Sequence, residues 1–412
     1  MRSWLHILGA VTLVVGLGSR ASAQSASDLF DSSTLNDIRL TLHSSDWTKL
    51  KENFQDNTYY PTDMTWKGLT VRNVGIRSRG NGSRSGVKPG LRVDFDRYST
   101  DQRFLDLKSI VLDNLVQDPS TMKEVISMAL FSRLSLPAPR EAFVRLYVNN
   151  TFVGLYAVVE SVDKRFLKRV FDQNDGNLYE FKYVYPYNFD DLGSDYPRYR
   201  ELFDPKTNES HSDFDLFDTI AQLVHAANAS VDASFESAVG AFLDLPLFAK
   251  HVAVENFTAE NDGILGYAGM NNFYLYQFED RPQFQVITWD KDNTMLQGDF
   301  PIDQRIDQNV VMRRAYAIPS VKQAYLDALN AAADSATEGQ EGDDAGPGWL
   351  AREIERLYAL IHDSARADTN KPYSNDEFEA AVDGIRGFAR QRPAFVRCQV
   401  AKQRGTTSAA CN

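Results

Sequence analysis

The run Q-V-I-T-W-D-K-D-N-T at 285–294 carries an apolar strand straight into two carboxylates, Asp290 and Asp292. Residues two apart in an extended segment point the same way, so both can face one site. Carboxylates at the end of a buried strand suit a hard cation, Mg2+ or Mn2+, that keeps some of its waters and takes substrate phosphates. A polar turn after the strand, with Asp290 capping the next segment, would use the same residues. The stretch 255–276 places Asp262 on a glycine-bounded loop, with Asn271 and Asn272 following nine and ten residues later. Phosphoryl transfer uses a carboxylate that accepts a hydroxyl proton and an amide further on that helps to hold a metal. An Asx turn followed by solvated asparagines fits as well.

Two further segments bear on phosphate binding. Residues 74–95 read as strand, Gly/Ser-rich loop and strand, with Lys88 and Arg92 placed to reach phosphates that the loop N–H groups would line. The loop matches neither G-x-x-x-x-G-K-[ST] nor G-x-G-x-x-G, and a plain surface loop has the same composition. Glu160 ends the apolar run 154–159. There it can pair with Lys88 or Arg92 and orient it, or sit at a helix N-terminus that favours negative charge.

The elements that must position these residues follow from periodicity. Alternation marks a strand at 38–42, and strand-like runs follow at 69–76, 91–95, 107–115, 143–148 and 153–159, with a hairpin turn at Asn149-Asn150-Thr151. Helical spacing marks 122–134, 162–171, 213–227, 231–243 and 247–260, and a strand pair spans 272–278 and 283–289. The Tyr-, Asp- and Pro-rich stretch 175–208 reads as an irregular insertion with some strand. The Ala/Asp/Glu/Gly-rich stretch 331–348 reads as a mobile surface loop. Strands first and helices afterwards predict an α+β protein of two lobes with a cleft between them.

Composition narrows the class. The 412 residues are 43% apolar and 12% aromatic, enough for a large core and against disorder. The net charge of −12 argues against wrapping nucleic acid, which needs Lys and Arg to neutralise phosphates. No H-x-x-x-H or C-x-x-C pattern supports zinc. Arg2, the apolar run 4–17 and Ala21-Ser22-Ala23 read as a signal peptide over 1–23, cleaved before Gln24. The mature chain is then secreted, extracellular or periplasmic, without stable membrane insertion. In an oxidising compartment Cys398 and Cys411 read as one disulfide closing a short tail loop.

In this order the segments resemble the CotH (spore-coat protein H) family of secreted kinase-like proteins. The blocks that carry the resemblance are Arg79-Gly-Asn-Gly-Ser83, Leu136-Pro-Ala-Pro-Arg140, Leu146-Tyr-Val-Asn-Asn150, Gly154-Leu-Tyr156, Glu160-Ser-Val-Asp-Lys164, Asn261-Asp-Gly263, Asn271-Asn-Phe-Tyr-Leu-Tyr276 and Trp289-Asp-Lys-Asp-Asn-Thr294. The resemblance implies an atypical, minimal protein-kinase-like fold. A β-rich N-lobe would span 24–165 and a mainly helical C-lobe 166–412, with metal and catalytic segments at 255–300. It also implies ATP- and metal-dependent phosphorylation of Ser or Thr on secreted or cell-surface proteins. Asp262 matches the catalytic aspartate and Asp290 the metal-binding one. Asp292, Asn272, Lys88, Arg92 and Glu160 fill the remaining metal- and nucleotide-binding places. Three positions depart from the family: Gly82 stands for a serine, Lys88-Pro89-Gly90 for K-K-S, and Asn261 for a tryptophan. The alternative is a non-catalytic surface or matrix scaffold on a degenerate kinase-like fold. A metal-dependent hydrolase would use the same aspartates.

Overall fold

Asn149 and Asn150 both take left-handed φ, 49° and 65°. Asparagine tolerates that region better than most residues, and a two-residue turn of this hand matches the twist of the strands it joins. The turn closes the longest antiparallel ladder of the first sheet, from Glu141 opposite Val159 to Val148 opposite Thr151.

The computed structural model describes residues 24–340, 346–407 and 411; the signal segment expected at 1–23 lies outside them. The N-terminal part contains α1 (Ala26–Leu29), β1 (Asn36–Thr41), α2 (Ser44–Glu52), β2 (Tyr60–Trp66), β3 (Leu69–Arg79), β4 (Gly90–Asp94), β5 (Ser109–Asp113), α3 (Lys123–Arg133), β6 (Glu141–Val148) and β7 (Thr151–Glu160). Then come α4 (Lys164–Phe171), β8 (Asn177–Phe181), α5 (Tyr196–Leu202), β9 (Phe203–Pro205), α6 (Asp213–Ala229), α7 (Asp232–Gly240), α8 (Leu245–Phe257), β10 (Phe273–Gln277) and β11 (Phe284–Thr288). Four helices finish the chain: α9 (Val310–Tyr316), α10 (Pro319–Thr337), α11 (Trp349–Ala367) and α12 (Asn375–Gln403). The fold is mixed α+β, strand-rich first and helical afterwards.

The first seven strands close into a barrel in the order β1-β2-β3-β4-β5-β7-β6, shut by a parallel β1–β6 pairing. Strand alternation serves two cores at once. Ile110, Leu112, Tyr156 and Val158 point into the barrel, whereas Val111, Leu155, Ala157 and Val159 join a larger core with α3 and the C-terminal helices. A four-stranded sheet, β11-β10-β8-β9, lies within that larger core.

The first part of the stretch 331–348 differs from the expected loop, and residues 341–345 lie outside the described residues. Helix α10 continues to Thr337, because Ala332, Ala333 and Ala336 bury one face at helical spacing and alanine favours helix. The disulfide joins Cys398 and Cys411, with Cα atoms 4.8 Å apart. Among the described residues no helix is long and apolar enough to cross a membrane.

Helix α12 reaches the site through Arg392, which is fully buried. Its guanidinium donates to the carbonyls of Asn256 and Phe257 on one side and of Gly298 and Phe300 on the other. Burial pulls its pKa down to about 10, so the group stays charged at neutral pH. One side chain thus ties together the ends of the two segments that carry the candidate chemistry.

Candidate active site

Two segments form the site. One leaves α8 and carries Glu260 and Asp262; the other leaves β11 and carries Asp290 to Thr294. Backbone bonds hold them side by side. Asn261 N–H donates to the Asn293 carbonyl at 3.2 Å, and Met295 N–H to that of Thr258 at 2.6 Å. Lys291 fastens them from within the core. Its Nζ lies 3.0 Å from Glu255 Oε1, 3.6 Å from Glu260 Oε2 and 3.2 Å from the Asn272 carbonyl. Glu255 in turn accepts from Ile264 N–H at 2.9 Å. A Cβ on Gly263 would lie 2.6 Å from Glu255, so the loop's close approach requires glycine there.

Asp262 is the centre of the first segment. Its Oδ2 accepts from the side-chain amides of both Asn271 and Asn272, each at 3.1 Å. Its backbone N–H donates to Glu260 at 2.7 Å. Burial pushes the Asp262 carboxyl up, while the two amides and Lys291 act against that rise. The carboxylate is therefore held in one orientation and remains partly open to solvent.

Asp290 opens the second segment in the left-handed region, φ 50°, an unusual conformation for a residue with a Cβ. Burial and the charge of Asp113 push its carboxyl up to about 6, against the pull of Arg79 and Lys291. Asp292 is raised well above the carboxylate range by burial and then by Asp290 and Asp113. Asn293 donates to Asp292 at 3.0 Å. Arg79 stands 3.9 Å from Asp113 and over the Trp289 ring at 5.1 Å. The donors are all hard oxygens, short of positive charge, which fits Mg2+ or Mn2+. Among the described residues no three His, Cys, Asp or Glu side chains converge as a ready metal cage. Mg2+ characteristically takes one or two carboxylates and fills its other positions with water and phosphate.

The residues expected to handle phosphate are arranged differently from the expectation. Lys88 does not meet Glu160. It is 1% exposed and its Nζ lies 2.7 Å from Asp368, in the link between α11 and α12. Burial pushes the Lys88 ammonium down, and Asp368 offsets part of that. Asp368 also accepts from Leu155 N–H at 3.1 Å and from Asn370 N–H at 3.0 Å. Gly154 has φ 152°, and a Cβ there would lie 2.5 Å from the Asp368 carboxylate. Lys88 thus staples the end of the β3–β4 loop to the C-terminal helices. Glu160 is held by Arg140 at 2.8 Å and Arg169 at 2.6 Å. Arg92 pairs with Asp94 at 2.7 Å, and that charge outweighs the cost of its burial. Asn272 turns its amide toward Asp262. Asp113, Lys291, Asp368 and Arg392 carried no signal in the sequence beyond being charged residues in or beside apolar runs.

Two predictions arise here. Lys88→Met should lower unfolding free energy by about 3–5 kcal/mol, because it leaves a buried carboxylate without its cation. Adding Asp368→Asn should restore part of the loss in urea unfolding. A Lys88→Met protein as stable as the parent would exclude the staple. The second prediction concerns pH. Burial pushes Glu260 up to about 7, and Asp290 stands at about 6. Carboxyls raised in the folded state stabilise it fully below their unfolded pKa and lose that effect as pH rises through the folded value. Glu255 works the other way. Burial alone would raise it, but Lys291 holds it at about 2, so its contribution is lost only in strong acid. In chelator, the melting temperature should therefore fall as pH rises from about 4.5 to 7.5. Mg2+ should restore more at the upper end than at the lower. A flat metal-free profile would show that these carboxylates are not held uncompensated.

A mixed α+β chain with paired carboxylate segments against a strand barrel is the class these features define. The family model described as "CotH kinase protein" matches residues 76–396, and the chain belongs to that family. The inner spore coat protein H of Bacillus subtilis (strain 168) is 28% identical over 266 residues, 62% of this chain and 68% of the relative. The crystal structure of the Helicobacter pylori proinflammatory kinase CtkA aligns at 10% identity over 79% of this chain and 97% of that one. Its TM-score of 0.32 is too low to define a shared fold.

Proposed function

We propose that this chain is an exported kinase that uses ATP with Mg2+ or Mn2+ to phosphorylate Ser or Thr on secreted or surface proteins. One observation carries the reading: the Asp262 carboxylate, oriented by two asparagine amides, shares a site with the buried, charge-crowded Asp290 and Asp292. Membership of the CotH kinase family supports it. The name of the Bacillus subtilis relative places that protein in a spore coat, and the expected signal segment is what argues for export of this chain. In this reading the strand barrel is the N-lobe of a minimal kinase-like fold and the helical part is the C-lobe.

The metal–nucleotide complex supplies an electrophilic phosphorus and a stabilised leaving group. The chain supplies position. Asp290 and Asp292 would hold the cation. Asp262 orients the acceptor hydroxyl and takes its proton as the oxygen–phosphorus bond forms and the bond to ADP breaks. Arg79 faces this cluster beside the buried Lys291, whereas Lys88 and Arg92 are committed to Asp368 and Asp94. The test is transfer from radiolabelled ATP with Mg2+ or Mn2+ to the protein itself and to a mixture of secreted proteins, with free phosphate measured alongside. Label on protein that depends on the metal supports a kinase. Free phosphate without labelled protein would mean a hydrolase. Neither product, together with no metal-dependent thermal stabilisation by ATP analogues, would mean a scaffold.

A further inference from the structure

A cavity of about 320 Å3 opens between the end of α3, the end of α4, the start of α8 and β11. That size is at the lower end for small-ligand sites, roughly 300–1,000 Å3. None of its lining residues takes part in the reaction proposed above. Leu136, Phe171 and Leu247 give it an apolar wall, and Ser132, Ser135, Arg169 and Gln285 bring polar groups to it. Arg169 spends Nε and Nη2 on Glu160, at 3.1 and 2.6 Å, and Nη2 also reaches the Ala138 carbonyl at 3.4 Å. Its Nη1 has no hydrogen-bond partner among the described residues. Glu160 lies between Arg169 and Arg140, so this group carries one positive charge more than negative. Gln285 is 9% exposed. Its amide nitrogen donates to the Val286 carbonyl at 3.2 Å, and its Oε1 accepts from no group among the described residues. Asp244, at the start of α8, is occupied in capping its own helix, accepting from Leu247 N–H at 2.9 Å.

Each open group asks for a particular partner. A guanidinium edge with surplus positive charge suits a carboxylate, since a charge-assisted bond is stronger than a neutral one. A nearly buried amide oxygen without a donor suits an N–H, because a polar group left unpaired in such a place is costly. The apolar wall suits a large aliphatic side chain. A carboxylate, an N–H and an aliphatic side chain on adjoining atoms describe the last residue of a polypeptide. We propose that this cavity captures the C-terminal carboxylate of a polypeptide that ends in a large apolar residue. Arg169 Nη1 and the serine hydroxyls receive the carboxylate, Gln285 Oε1 accepts the last amide N–H, and the side chain rests on Leu136, Phe171 and Leu247. Capture of a terminal carboxylate is a recurring mode of peptide recognition. The site stands on its own geometry, whether or not the chain transfers phosphate.

Calorimetric titration of the full chain with two synthetic peptides tests it. One is acetyl-Ala-Ala-Leu with a free carboxylate, and the other is the same peptide ending in an amide. The free acid should bind one to one, roughly tenfold or more tighter than the amide. It should also raise the melting temperature, since only the folded chain offers the cavity. Arg169→Gln leaves Glu160 paired with Arg140 and should bring the acid down to the affinity of the amide. Ser132→Trp fills the cavity from an exposed position on α3, so it should keep the parent's melting temperature and lose both peptides. The second variant keeps the test open if the first fails to fold. No binding of the acid by the parent would overturn the proposal. So would equal affinity for acid and amide, or parent-like binding of the acid by Ser132→Trp, which would place the peptide elsewhere. Each of these results leaves the transfer assay to judge the kinase reading separately.

Discussion

Asp290→Asn is expected to abolish metal-dependent nucleotide binding and phosphoryl transfer together. The substitution keeps the shape and the left-handed turn, which asparagine adopts readily. It removes the charge on the group that burial and Asp113 already crowd. A hard cation held by one or two carboxylates loses most of its attraction when one becomes neutral. The same change relieves repulsion in the metal-free protein, so the variant should melt higher than the parent in chelator. That opposite effect on stability and activity separates a metal ligand from a structural residue, whose loss would lower both. Titration of an ATP analogue with Mg2+, beside melting curves in chelator, reads the two effects. A variant that binds the analogue like the parent would remove Asp290 from the metal site.

Many of the strands were legible because β3 to β7 carry apolar runs, β5 and β7 continuously so, and the Asn149-Asn150 turn announces its own hand. Strand β2 was not. Its inward residues are Thr62, Met64 and Trp66, set among Tyr, Pro, Asp and Thr, so its alternation is too polar to stand out. Barrel closure was equally hidden, since the parallel β1–β6 pairing joins strands far apart in the chain and leaves no local mark. The carboxylates of the site were visible because a charged residue at the end of an apolar strand is conspicuous. Their partners were not. Lys88 looked free because its counter-charge, Asp368, comes from a helix link near the other end of the chain. Glu160 looked available although its counter-charges, Arg140 and Arg169, lie close in the chain, because neither stands in a spacing that marks the pairing. Pattern reading finds residues that must be somewhere special. It does not find which of the remaining charges pays them back.

Those pairings bear on how the cleft is held. The β3–β4 loop is fixed at both ends, by Lys88 to Asp368 and by Arg84 to the carbonyls of Gly80, Phe54, Gln55 and Asp56. Asn114 donates to the carbonyls of Ser83 and Lys88 from beneath it, at 2.9 and 2.8 Å. A loop tied in this way presents a set shape to any phosphate that approaches. Its glycines and serines turn the chain, and the positive charge that the N-terminal part turns toward the carboxylate cluster includes Arg79 at the end of β3.

Asp262→Asn separates chemistry from binding. The Asp262 side chain is braced by Asn271 and Asn272, and in the proposed reading it meets the acceptor hydroxyl and not the cation. Nucleotide and metal affinity should therefore stay near that of the parent. Transfer should fall by roughly 10²–10⁴-fold, the scale of losing a general base. A loose transition state places less weight on proton abstraction and more on orientation, so a loss near the lower end would mean that Asp262 mainly positions the hydroxyl. The two roles differ in their pH dependence. A base gives a rate that rises with pH until the carboxyl ionises, and burial moves that rise upward from the ordinary aspartate range. An orienting group gives a flatter profile. Asparagine at 262 should remove the limb if Asp262 is the base and leave the profile's shape unchanged if it only orients. Single-turnover transfer rates for folded parent and variant, taken across mildly acidic to neutral pH, make the measurement. A variant that transfers phosphate at the parent's rate would place the acceptor site elsewhere in the chain.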